Sequence, residues 1–338
     1  MTLRSAIGPE SDPLFLVDAH THTSGPEQDG PPGDVVACLD ACGVEKAFVF
    51  APLLKPQGLQ LSPEHLSEIK VHNDYVADFC SHHPDRLLAF AVLNPNPGIA
   101  GGDPARAAEL MVEEARRCYH ELGLRGFKLV ADRWDAEQEA VMPLWREMVR
   151  LGTYAVFHTG IFMDERSSTY CRPAYYEGLH RVQGFRGQLA HLGWPWVDEM
   201  VGMLTMESEH PDDGGEDPFP LLADISFGAP PDWRIETLRK ALDMLGPKRL
   251  VYGADCFWPQ QPEQYFENYL LPHLAAFEAA ADLSKNAPAQ GPERARARRQ
   301  VFHDNMLRHW EKATRGVPQK PRRAERTLKI TMSRSGCC

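Results

Sequence analysis

No stretch of this 338-residue sequence reaches the roughly 18 consecutive apolar residues of a membrane-spanning helix. The opening "MTLRSAIGPESDP" has no apolar core of the kind a secretory leader carries. Positive charge is in deficit: 36 Lys and Arg stand against 47 Asp and Glu, a formal net charge of −11, which argues against general nucleic-acid binding. The eight cysteines show no zinc-finger spacing. Cys38, Cys42, Cys80 and Cys118 fall inside helical or strand patterns and read as reduced thiols. No internal repeat is visible. The expectation is a cytoplasmic globular protein with a small-molecule partner and no nucleic-acid or membrane partner. A homodimer is the default assembly.

What the sequence does contain is alternation. Short apolar runs at 14–22, 46–51, 87–93, 125–130, 153–158, 186–191, 221–226 and 249–255 alternate with amphipathic stretches such as Ala105–Leu122 and Met142–Leu151. The runs "KAFVFA", "LLAFAVL", "TYAVFH" and "RLVYGAD" lack a clean polar alternation, as parallel strands buried on both faces do. Eight such units predict an α/β protein, a (β/α)8 TIM barrel. A last helix over about 294–312 is expected to pack on the outside of the barrel. The domain plan is an N-terminal extension over 1–13, the barrel over 14–315, and a basic, disordered tail over 316–338. The closing Cys337-Cys338 resembles a double-prenylation end, but the tail is expected to have no function.

In such a barrel the chemistry sits at the C-terminal ends of the strands. The first run ends in "VDAHTHT". Residues i and i+2 of a strand share a face, so His20 and His22 aim at one point. The fifth run ends in His158, the sixth in His191 and the eighth in Asp255. Four imidazoles and one carboxylate in one barrel mouth point to a shared metal ion. Asp18, two before His20, is expected one layer deeper on the same inward face, either supporting a liganding imidazole or packing the barrel floor.

The set "DAHTH…FHTG…AHLGWPW…GADCFW", in this order at these strand ends, resembles the amidohydrolase superfamily over about residues 14–312. The nearer likeness is to the branch that contains aminocarboxymuconate-semialdehyde decarboxylase and the resorcylate decarboxylases. That resemblance implies His20, His22, His158 and Asp255 as ligands of one divalent metal, Zn²⁺ with Mn²⁺ or Fe²⁺ tolerated. It implies His191 and Asp255 as the catalytic pair beside an activated water. Lys128, in "GFKLVAD", is expected either to contact substrate or, as in some amidohydrolases, to bridge a second metal.

The loops after the strands supply the remaining candidates. "PLLKPQGLQLSPEH" is long enough for a lid. Arg166 and Arg172 could anchor a carboxylate, and Trp194 and Trp258 could line an aromatic pocket. The acidic loop 207–220 falls on the opposite face and reads as solvated. The ligand set is shared by hydrolases and decarboxylases. Thr159-Gly160 follows His158, where the decarboxylases of that branch often carry proline. The expectation is therefore a metal-dependent hydrolase of an amide, lactone or related bond, with a non-oxidative decarboxylase of an aromatic or unsaturated acid as the alternative.

Overall fold

A computed structural model describes residues 16–54, 61–162, 166–205, 220–288 and 290–315. The expected N-terminal extension, the basic tail with Cys337-Cys338, all but the last residue of the acidic loop 207–220 and part of the expected lid lie outside them.

Strands β1 (Leu16–His22), β2 (Val44–Phe50), β3 (Leu87–Leu93), β4 (Gly126–Leu129), β5 (Tyr154–Phe157), β6 (Gly187–Leu189) and β7 (Leu221–Asp224) pair in parallel, each with the next. The eighth run is bonded in two pieces. β8 (Leu250–Val251) pairs with β7, and β9 (Cys256–Phe257) pairs with β1. Between them Ala19 donates its N–H to Tyr252 O at 3.0 Å and Asp255 donates to His20 O at 2.7 Å. The stretch 250–257 thus closes the sheet into a barrel. Helices α1 (Pro32–Ala41), α2 (His65–Ser81), α3 (Pro104–His120), α4 (Met142–Leu151), α5 (Val197–Thr205) and α6 (Pro231–Leu245) alternate with the strands, except between β5 and β6, where 3-10 turns over Ser168–Cys171 and Pro173–Arg181 take the helix's place. Their ends follow local chemistry. Asp103 caps α3 by accepting from the backbone N–H groups of Ala105 and Arg106, and α4 stops at Gly152 in the left-handed region. After the barrel come α7 (Pro262–Tyr265), α8 (Leu271–Leu283), α9 (Pro292–Arg299) and α10 (Asn305–Thr314).

The last helix departs from expectation. Met306 is buried with Val17, Ala19, Phe48, Phe50, Phe90, Tyr154, Val156, Leu222 and Val251, the residues that fill the barrel interior. Trp310 meets the rings of Phe48 and Phe90 at 5.3 and 5.4 Å. α10 therefore forms the floor of the barrel instead of joining its outer ring. Short parallel strands leave an apolar opening at their N-terminal ends, and the apolar face of α10 covers it.

Asp18 is the second departure. On β1 the four residues Asp18 to Thr21 run opposite three on β2, Ala47 to Val49. This bulge inserts one residue and inverts the alternation. Val17 and Ala19 face the interior, and so do His20 and His22, whose rings pack on Phe50. Asp18 turns the other way, to the hydroxyl of Tyr265 on α7, which donates to it at 2.7 Å. Its other oxygen accepts the N–H of His20 at 3.0 Å and of Ala254 at 2.9 Å. Asp18 therefore ties the bulge to the backbone just before Asp255 and touches no imidazole ring. Burial raises its pKa to about 7 against these three donors.

Candidate metal centre

The bulge and the kinked eighth strand bring three donor atoms together. His20 Nε2, His22 Nε2 and Asp255 Oδ1 form a triangle with every side 3.1 Å. Asp255 reaches in from a left-handed backbone (φ 57°), an uncommon conformation for a non-glycine residue and one held by the surrounding bonds. Its side chain is 27% exposed, whereas those of His20 and His22 are buried, so the carboxylate is the corner open to the mouth.

Asp224, which ends β7, accepts from His20 Nδ1 at 2.6 Å, and neither side chain is exposed. The same carboxylate accepts from Gln188 Nε2 at 3.0 Å and from the Ser226 N–H at 2.7 Å. With its proton held on Nδ1, His20 presents the Nε2 lone pair to the triangle. Lys128, on β4 and 1% exposed, places Nζ 3.1 Å from that same atom. With the proton of His22 on Nδ1, two imidazole lone pairs and a carboxylate oxygen converge on one point, as the donors to a cation do. A face with 3.1 Å edges is what an ion bound at about 2.1–2.2 Å spans. The donor set fits a divalent metal. Among the described residues these three are the group of His, Cys, Asp and Glu that lies close enough to hold one.

His158 stands outside that triangle. Its Nδ1 lies 3.1 Å from His191 Nε2, and its ring stacks on Phe162 at 4.6 Å. His191 in turn lies 3.9 Å from Asp255 through Nδ1 and 3.1 Å from Ser226 Oγ. His191 sits beyond the end of β6, in a left-handed kink (φ 63°) continued by Leu192 and Gly193. The kink, not strand geometry, turns its ring to the centre.

The charges follow from burial. It lowers His22 and His191 to about 4, opposed by Asp255, and holds His158 well below its ordinary value. Burial and Lys128 press His20 down as well, but Asp255 and Asp224 together raise it. Burial alone would raise Asp255, yet the imidazoles of His20 and His191 hold it well below the carboxylate range. Burial brings Lys128 down to about 8 against the pull of Asp255 and Asp224.

The other expected substrate residues separate. Arg166 lies over the face of Phe162 at 4.1 Å, and its charge reaches His158. Trp194 is half-buried beside the His191 turn, with its indole N–H unpartnered. Arg172 is not in the mouth: its side chain is 46% exposed and pairs with Glu199 at 2.6 Å, because Glu199 on α5 offers it a carboxylate outside. Trp258 is 1% exposed and stacks on Tyr265 at 5.8 Å, so it supports the wall from behind. At the mouth Phe257, 47% exposed, lies parallel to His22 at 4.7 Å.

An amidohydrolase family model matches residues 17–311. A γ-resorcylate decarboxylase from Rhizobium sp. (strain MTP-10005) is 27% identical over 113 residues, 32% of this chain and 30% of the relative's length. A dihydroxybenzoic acid decarboxylase from Polaromonas sp. JS666, solved with bound manganese and the inhibitor 2-nitroresorcinol, superposes with a TM-score of 0.55 at 16% identity, covering 88% of this chain and 97% of that one. A probable 2-pyrone-4,6-dicarboxylic acid hydrolase from Acinetobacter baumannii gives 0.53 at 12% identity, covering 88% and 99%. At these identities the structural likeness establishes the shared barrel fold.

Proposed function

The chain belongs to the amidohydrolase family, and on that premise we propose that it is a metal-dependent non-oxidative decarboxylase of a small aromatic or unsaturated carboxylic acid. The 3.1 Å triangle of His20, His22 and Asp255 carries the metal-dependent part of this reading. The matched segment of a γ-resorcylate decarboxylase supports the choice of reaction over the hydrolysis that Thr159-Gly160 favoured.

His20, His22 and Asp255 would hold one divalent ion. Two imidazoles and a carboxylate suit Mn²⁺ as well as Zn²⁺, and manganese is the ion bound in the Polaromonas decarboxylase. When bound, the ion supplies Lewis-acid attraction for a substrate oxygen. The chain's own groups do the rest. Lys128 brings a buried positive charge to the carboxylate or phenolate oxygen, and Arg166 and Trp194 offer further donors at the mouth. Loss of carbon dioxide leaves the bonding electron pair on carbon, which must then receive a proton. Asp255 faces the mouth and His191 stands 3.9 Å from it, so this pair relays a proton from water to that carbon, since neither group holds one of its own at neutral pH. His158, hydrogen-bonded to His191, fixes the orientation of that ring.

The test is bicarbonate release, followed by carbon-13 NMR, from carboxyl-labelled 2,6-dihydroxybenzoate and 5-carboxyvanillate with Mn²⁺- and Zn²⁺-loaded protein. Asp255→Asn should leave a folded barrel and reduce turnover by at least about 10²-fold. Turnover of a lactone or amide, with no bicarbonate from any aryl acid, would return the reaction to hydrolysis.

A further inference from the structure

A small cavity opens on the flank of His191, between the β7–α6 connection and α8. His191, Ser226, Phe227, Arg234, Leu238 and His273 contribute to its wall. Its room for water centres is about 30 Å³, the space of roughly two waters or one carboxylate group. The connection packs tightly on the histidine: a Cβ added to Gly228 would stand 2.6 Å from His191 Cβ.

Arg234 is the unusual member. Its guanidinium carbon lies over Phe227, 3.7 Å from the ring centre, and Phe227 in turn stacks on His273 at 3.8 Å. Its Nε–H donates to Ala229 O at 3.1 Å, which fixes the fork and leaves the two terminal NH₂ groups. Arg117 pairs with Glu114, and Arg294 with Glu278 and Asp282, while the buried Arg249 gives its terminal groups to the carbonyls of Leu204 and Leu221. Among the described residues no carboxylate pairs with Arg234. Burial lowers its pKa with no anionic neighbour to offset the shift. A guanidinium withdrawn from water without a counter-charge is costly, and the adjoining N-terminal turn of α6 adds to the positive potential. An arginine serving only to stack on Phe227 and tie down the loop would need no cavity at its side.

We infer that this cavity is an oxyanion subsite, in which Arg234 holds a planar carboxylate-sized anion beside His191 and Ser226. The site is argued from its own geometry. Only the source of the anion, a substrate carboxylate or the released one-carbon product, rests on the decarboxylase reading.

The probe is carbon-13-labelled formate, titrated into the zinc-loaded full chain and followed by line broadening, with no turnover required. Formate should bind the parent chain. Arg234→Met should weaken it by about tenfold or more and Arg234→Lys by about threefold. Leu238→Phe, which fills the cavity and keeps the guanidinium, should weaken it as much as Arg234→Met, with circular dichroism unchanged. Competition by bicarbonate but not benzoate identifies the product as the source; competition by benzoate as well identifies the substrate carboxylate. Absence of formate binding to the parent chain, or binding to Arg234→Met and Leu238→Phe as tight as to the parent chain, overturns the inference. Failure of every aryl acid to release bicarbonate would overturn the decarboxylase reading alone.

Discussion

Replacing Asp224 by Asn tests whether the carboxylate behind His20 organises the centre. The side chain is fully buried and accepts three hydrogen bonds, from His20, Gln188 and the Ser226 N–H. Asparagine has one acceptor oxygen and one NH₂. If the NH₂ turns to Ser226, two donors face each other in a buried site, at about 1–3 kcal/mol. If it turns to His20, Nδ1 must become an acceptor and the proton moves to Nε2, the atom that belongs to the triangle. Either way the chain loses stability or a metal donor. Metal affinity should fall by about 10–100-fold, the usual effect of losing a partner of a liganding histidine. The metal-free Tm should fall by about 1–4 °C for a chain of this size. Calorimetric titration with Zn²⁺ and Mn²⁺, beside a thermal melt of metal-free protein, measures both. Unchanged affinity together with an unchanged melt would refute the argument that Asp224 sets the His20 tautomer.

Asp18→Ala should also reduce metal affinity, by about tenfold, although it touches no donor atom, because the tie between the β1 bulge and the backbone before Asp255 is gone; the same titration checks it. Trp310→Ala should cost about 3 kcal/mol by opening the barrel floor, read as a lower urea midpoint. Glu147 is held at about 2 by its hydrogen bond from Arg150, against burial and with help from Arg116. Its contribution is therefore full above its ordinary range near 4.5 and disappears as pH falls toward 2. Glu147→Gln should remove about 1 kcal/mol of that acid-side slope, a small figure because both arginines face solvent, measured by urea titrations between pH 6 and 3.

Much of this architecture was legible because parallel strands buried on both faces leave unbroken apolar runs. His20, His22 and Asp255 were legible because polar residues closing such runs stand at the barrel mouth. Asp224 carried the same signal, as the last residue of "LLAD", and was passed over because an aspartate beside no histidine in the chain has no visible partner. Asp18 misled because strict alternation assumes a flat register, and a bulge is set by backbone pairing with β2 that one strand's residues do not record. Arg172 and Trp258 came from loops and walls, whose direction depends on tertiary partners, Glu199 in one case and Tyr265 in the other. His158 was expected as a ligand by resemblance; its Nδ1 lies 3.1 Å from His191 Nε2, outside the triangle. Thr159-Gly160 pointed to hydrolysis; the proposal prefers decarboxylation because 113 aligned residues of a decarboxylase weigh more than a dipeptide after a strand.

The helix under the barrel has a consequence for biosynthesis. All eight walls are translated before Met306 and Trp310, and until those two side chains arrive the ring of Phe48, Phe90 and Tyr154 has nothing beneath it but water. A nascent chain still threaded through the ribosome at that point holds an incomplete core. Final closure must await emergence of the last helix, and until then this polypeptide most needs shielding from its neighbours.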